Sequence, residues 1–128
     1  MSAVPDEKRI SGEFEAGASI RLLSRKYGLP EEEVIPLLPT DAQARYEKVN
    51  TLFSHNHSIK AVGERAHLST QEASRYLSSD SLKDAIHLIR SFRGDIDTIV
   101  ERCGCSAQEA RDYQALVIEE KGDPLPTY

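Results

Sequence analysis

The side chains with the most recognition chemistry in this sequence form two short sets. Ser69, Thr70, Gln71, Ser74, Arg75 and Ser78 are spaced so that a helix would carry them on its exposed positions. Short hydroxyls with one amide and one guanidinium suit adenine and guanine edges and phosphate oxygens. Lys60, with Arg65 and Lys48, adds positive charge nearby. A solvated helix face uses the same residue types, so chemistry alone leaves both readings open. The second set is Ser106, Gln108 and Arg111, with Asp112 among them and Arg90, Arg93 and Arg102 on supporting helices. Asp112 would face phosphate unfavourably unless it pairs with Arg111.

Other chemistries find less support. Cys103 and Cys105 invite a metal or redox reading, but both fall on an apolar pattern and two further zinc ligands are not in view. His55, His57 and His67 read as surface polar residues, with a pH-sensitive or phosphate-contacting role as the sharper alternative. Asp95 and Asp97 read as charges at a helix N-terminus. There is no Gly-rich phosphate loop, nucleophile elbow or isolated carboxylate pair, so no enzyme, cofactor or metal is expected.

Composition bounds the rest. A chain of 128 residues, 39% hydrophobic and 29% charged, suits one domain or a few small units sharing a core. Without tryptophan, that core must come mainly from Leu, Ile, Val and Ala, which favours closely packed helices. A formal charge of −5 counts against DNA binding over the whole surface but leaves room for a local basic face. No apolar run approaches membrane-spanning length, and residues 1–7 lack signal-peptide character, so a cytoplasmic protein is expected.

The elements that must position these side chains recur. Residues 20–34, 59–73 and 96–110 align without a gap, at spacings of 39 and 37. Ile20, Leu23, Tyr27, Leu29 and Val34 correspond to Ile59, Val62, Ala66, Leu68 and Ala73, and again to Ile96, Ile99, Cys103, Cys105 and Ala110. The first three of each series share one face of a helix. A turn residue follows (Gly28, His67 or Gly104), and then a second helix start at Pro30, Ser69 or Ser106. Glu72 and Glu109 complete capping boxes with the two serines. Upstream, Ile10 and Phe14 match Val49 and Phe53; the third copy has Ile86 and then departs, with Ile89 and Phe92 as substitutes. Each unit thus reads as three helices, too small to be stable alone, and stacking would bury a shared core.

These segments resemble the trihelical helix-turn-helix superfamily of prokaryotic and phage regulators. The small residue at the helix crossing is Ser24 in the first copy and Gly63 in the second; Val100 in the third predicts a looser crossing. The resemblance implies an all-α tandem array of three such units over 1–40, 41–80 and 81–121, with a flexible tail over 122–128. It further implies that the second helix of each pair enters the major groove of double-stranded DNA. The second unit is then the main reader: Gln71 and Arg75 to bases, and Lys60, Ser69, Thr70, Ser74 and Ser78 to phosphates or base edges. Gln108 and Arg111 are auxiliaries. The first unit presents Glu31, Glu32 and Glu33, which repel phosphate, and Pro36, which truncates its helix; it packs on a neighbour or meets a protein partner. The apolar C-terminal helix, with Tyr113, Leu116, Val117 and Ile118, either covers the second unit or pairs two chains as a homodimer. The expected function is a sequence-specific transcription regulator. The rival on the same fold is a protein-interaction module, an anti-activator or adaptor that does not bind DNA.

Overall fold

Three eight-residue helices end at the same kind of turn, because each is followed by a residue that takes a left-handed conformation. In the computed structural model, which describes residues 7–91 and 95–122, these are α2 (Ile20–Tyr27), α5 (Ile59–Ala66) and α8 (Ile96–Cys103). Gly28, His67 and Gly104 follow them at φ 66°, 60° and 71°. Each turn N–H returns to a carbonyl of its own helix, on Ser24, Gly63 or Val100, which satisfies an orphan acceptor at the C-terminus. Glycine takes this conformation freely; His67 takes it at a conformational cost.

The helices after these turns differ in length for local reasons. The α3 helix (Glu31–Val34) stops after four residues and passes into a 3-10 turn, Ile35–Leu37, containing Pro36, which has no N–H to continue a helix. The α6 helix (Thr70–Arg75) is capped by Ser69, whose Oγ accepts the Glu72 N–H at 3.0 Å. The α9 helix (Ala107–Lys121) is capped likewise by Ser106, from the Glu109 N–H at 3.1 Å. The reciprocal half of the expected capping boxes is diverted, because the carboxylates of Glu72 and Glu109 are engaged by arginines.

The remaining helices, α1 (Glu7–Glu15), α4 (Thr40–Asn56) and α7 (Ser79–Ser91), precede the short ones and close the core over them. The described residues are all-α, with no strand among them. One buried apolar cluster runs through the molecule and includes Ile10, Phe14, Ile20, Leu23, Val49, Phe53, Ile59, Val62, Ile86 and Ile99. Tyr113 and Val117 of α9 are buried, and α9 packs on α7 and α8. His55 lies in the last turn of α4, and His57 ends that helix at φ 52°, its ring edge-on to Phe53. No helix among the described residues is long and apolar enough to cross a membrane. Of the tail expected to be flexible, 122–128, all but Gly122 lies outside the described residues, as do Phe92 and Arg93.

The crossings of α2 and of α5 with their successors each turn on one small residue. A Cβ on Gly63 would stand 2.7 Å from the Leu68 carbonyl oxygen. Ser24, at the equivalent place, instead donates its hydroxyl to the Leu29 carbonyl at 2.5 Å. Gly63→Ala should therefore lower stability by roughly 1–3 kcal/mol despite alanine's better helix propensity, since the added methyl meets backbone. Urea denaturation measures this, and an unchanged or higher midpoint would refute the close crossing.

Candidate nucleic-acid interface

The α6 helix was the expected reader, and only its first turn faces solvent. Ser69, Thr70 and Gln71 are exposed. Ser74 and Ser78 are buried and Arg75 is largely so, which corrects the expectation that all six side chains lie on an open face. The reason is tertiary. Apolar periodicity identifies which face seeks the core, but it carries no information about which polar face a neighbouring segment will cover.

Each covered residue has a partner from elsewhere in the chain. Ser74 donates its hydroxyl to the Cys103 carbonyl at 3.0 Å. The turn behind that carbonyl sits so close that a Cβ on Gly104 would lie 3.0 Å from Ile59 Cγ2 and 3.1 Å from Ser74 Cβ. Arg75 donates through Nη1 to both carboxylate oxygens of Glu72 at 2.7 Å, through Nε to the Ala18 carbonyl at 3.2 Å, and through Nη2 to the Phe14 carbonyl. Its guanidinium stands 4.2 Å from the centre of the Phe14 ring, a cation–π contact. Ser78 caps α7, accepting the Ser81 N–H at 3.0 Å, while its own N–H donates to Asn50 Oδ1 at 2.8 Å.

The other expected contact residues do remain at the surface, in separate places. Lys60, in the first turn of α5, lines a groove of about 390 Å³ with Ser58, Thr98, Glu101 and Arg102 of α8. Gln108 lines a different groove of about 270 Å³ between α2 and α9, with Ser19, Leu22, Arg25 and Asp112. Arg111 is exposed on α9. Asp112 does not pair with Arg111: it accepts from Gln108 Nε2 at 3.0 Å and lies 3.8 Å from Arg25 Nη1. The candidate contacts are thus divided among the first turn of α6, the Lys60 groove, the Gln108 groove and Arg111 on α9.

The residue that sequence reasoning missed is Arg21. It is buried, 4% exposed, and all of its hydrogen bonds go to distant parts of the chain. Nε and Nη2 reach the two carboxylate oxygens of Glu109 at 2.6 and 3.1 Å, and Nη1 reaches the carbonyls of Ser74 and Leu77 at 2.8 and 2.7 Å. Burial alone would push its pKa down, but the Glu109 hydrogen bond and charge outweigh that and leave it above the ordinary arginine value. Its equivalents in the other copies are Lys60 and Asp97, so nothing in the repeat marks position 21 as internal. Glu31, expected only to repel phosphate, also holds a distant segment. Its carboxylate accepts the Ser79 N–H at 3.1 Å and the Ser79 hydroxyl, fixing the start of α7.

Cys103 and Cys105 are buried, and no group of three or more His, Cys, Asp or Glu poised for a metal occurs among the described residues. Burial first, and then the neighbouring negative groups, pushes the Cys103 thiol up to about 12 and the Cys105 thiol to about 11. Compared with known proteins, the chain matches no family model, no curated protein and no solved structure.

Two predictions follow from these placements. Arg75→Ala should destabilise the fold by about 2 kcal/mol or more, since it strands two backbone acceptors and removes a cation–π contact. Gln71→Ala should stay within about 0.5 kcal/mol; equal effects in thermal or urea unfolding would contradict the assignment of Arg75 as an internal strut. The thiols give a pH dependence. Their folded pKa values lie above the unfolded value of 9.0, so their contribution is complete below that pH and declines as pH rises towards about 11. The urea midpoint should fall over this window, and fall less in a Cys103→Ala/Cys105→Ala variant; parallel slopes would contradict it.

Proposed function

We propose that this chain is an array of three helix-turn-helix units acting as a protein-interaction module. The unit assignment is supported by the thrice-repeated short helix, left-handed turn and new helix start. The observation that carries the functional reading is the closure of α6. A groove-reading helix presents its outer side chains to base edges, whereas here Ser74 and Arg75 are spent on holding other segments. An acidic surface agrees with this, because a net charge of −5 opposes approach to phosphate. The surface left for a protein partner includes the outer stripe of α9, where Ala107, Arg111, Ala115 and Ile118 are exposed at helical spacing.

One observation favours the DNA reading as a second possibility. Lys60 and Arg102 face the same groove, and Ser69, Thr70 and Gln71 remain open at the first turn of α6. On that reading, a regulator contacts backbone and bases with a smaller set than the sequence suggests.

Fluorescence polarisation with a pool of random duplex DNA at about 50 mM salt separates the two. The interaction-module reading predicts no binding there. It also predicts that a partner isolated with the full chain is lost on Ile118→Asp, with the fold intact by circular dichroism. Binding that weakens steeply towards about 200 mM salt and is lost in Lys60→Ala and Gln71→Ala would overturn it in favour of the regulator.

A further inference from the structure

We propose that the groove between α5 and α8 seats a phosphoserine or phosphothreonine side chain of a protein partner, with the phosphoryl dianion held between Lys60 and Arg102. This rests on the interaction-module reading and names the chemistry of the partner. The groove, of about 390 Å³, lies where the second repeat meets the third: Ser58 and Lys60 come from one, and Thr98, Glu101 and Arg102 from the other. Its walls are set before any ligand arrives, because the adjoining Ile59 and Ile99 are fully buried and α5 packs on α8.

Charge and repeat position favour that occupant. Among the described residues neither Lys60 nor Arg102 has a carboxylate partner or a side-chain hydrogen bond. In the first repeat the cations at the same two positions, Arg21 and Lys26, are each met by a carboxylate, Glu109 and Glu13, both at 2.6 Å. An anion supplied from outside completes the same pairing in the groove. Ser58 adds a neutral donor: Ser19, Ser69 and Ser106 each accept a backbone N–H of the helix that follows, whereas the Ser58 side chain makes no such bond. A phosphoryl group is close to a dianion at neutral pH and has three acceptor oxygens, enough for the ammonium, the guanidinium and the hydroxyl together. A run of nucleic-acid phosphates fits worse. Glu101 lies in the groove, and Glu64 and Asp97 are exposed one helical turn from Lys60 and Glu101, so the positive charge is a single island bounded by carboxylates.

Amide NMR on the full chain, titrated with a short peptide whose one charged group is a phosphoserine, tests this. Shifts should concentrate at Ser58, Lys60, Thr98 and Arg102, with a Kd of about 1 mM at low salt. Lys60→Met and Arg102→Met should each weaken binding about 5-fold or more, and Glu101→Gln should tighten it about 2-fold. All three side chains are exposed, so these variants keep the fold. The same peptide with serine or glutamate in place of phosphoserine should bind at least about 5-fold more weakly. Equal binding of either control would overturn the proposal, as would groove amides that stay unmoved at about 10 mM phosphopeptide. Inorganic phosphate binding about 5-fold more tightly than the peptide would assign the groove to a free anion instead. Duplex DNA that displaces the peptide would assign it to nucleic acid and contradict the module reading as well. Unmoved amides without duplex binding would remove the phosphoryl site alone.

Discussion

One buried side chain, Arg21 of α2, reaches both the end of α6 and the start of α9. A charge this deeply buried is tolerated only if its donors are met, and they are: a two-pronged contact to Glu109 and two carbonyls in the closing turn of α6. The carbonyls at a helix C-terminus carry partial negative charge, so a cation there is doubly favoured. The partners lie 53, 56 and 88 residues away in sequence. A single side chain from the first repeat thus fixes the end of α6 in the second and the start of α9 in the third.

The other joints follow the same style. Asn50 uses its whole amide, donating to the Tyr46 and Tyr76 carbonyls and accepting from the Ser78 N–H and the Ser81 hydroxyl, and so holds α4 against the link between α6 and α7. Tyr113 meets the Ser79 hydroxyl at 2.8 Å, beside Glu31. Apolar burial supplies the bulk of the stability, being non-directional, while these directional bonds select one arrangement of similar units over others. Outer positions of α6 that a groove reader would offer to DNA have become internal fasteners, and the exposed surface is left with a weaker, divided set of contacts.

Much of the local structure was legible in the sequence. The left-handed turns at Gly28 and Gly104, the caps at Ser69 and Ser106, and the truncation at Pro36 each follow from rules that act within a few residues. The candidate site was legible only in part. Lys60, Gln71, Gln108 and Arg111 are exposed at the surface. Ser74, Arg75 and Ser78 are not, because their fate depends on segments many residues distant. Arg21 and Glu109 show the limit most clearly: one looks like an ordinary polar helix residue and the other like half of a capping box, and only the packing of the repeats makes them a pair.

The central claim is that Arg21 and Glu109 act together as the fastener between repeats. A double-mutant cycle on unfolding free energy, with Arg21→Met, Glu109→Gln and the combined variant, measures that directly. The account predicts a coupling energy of about 1.5 kcal/mol or more, with each single variant strongly destabilised by the partner it strands and the double variant losing less than their sum. Additive effects, with coupling below about 0.5 kcal/mol, would contradict it.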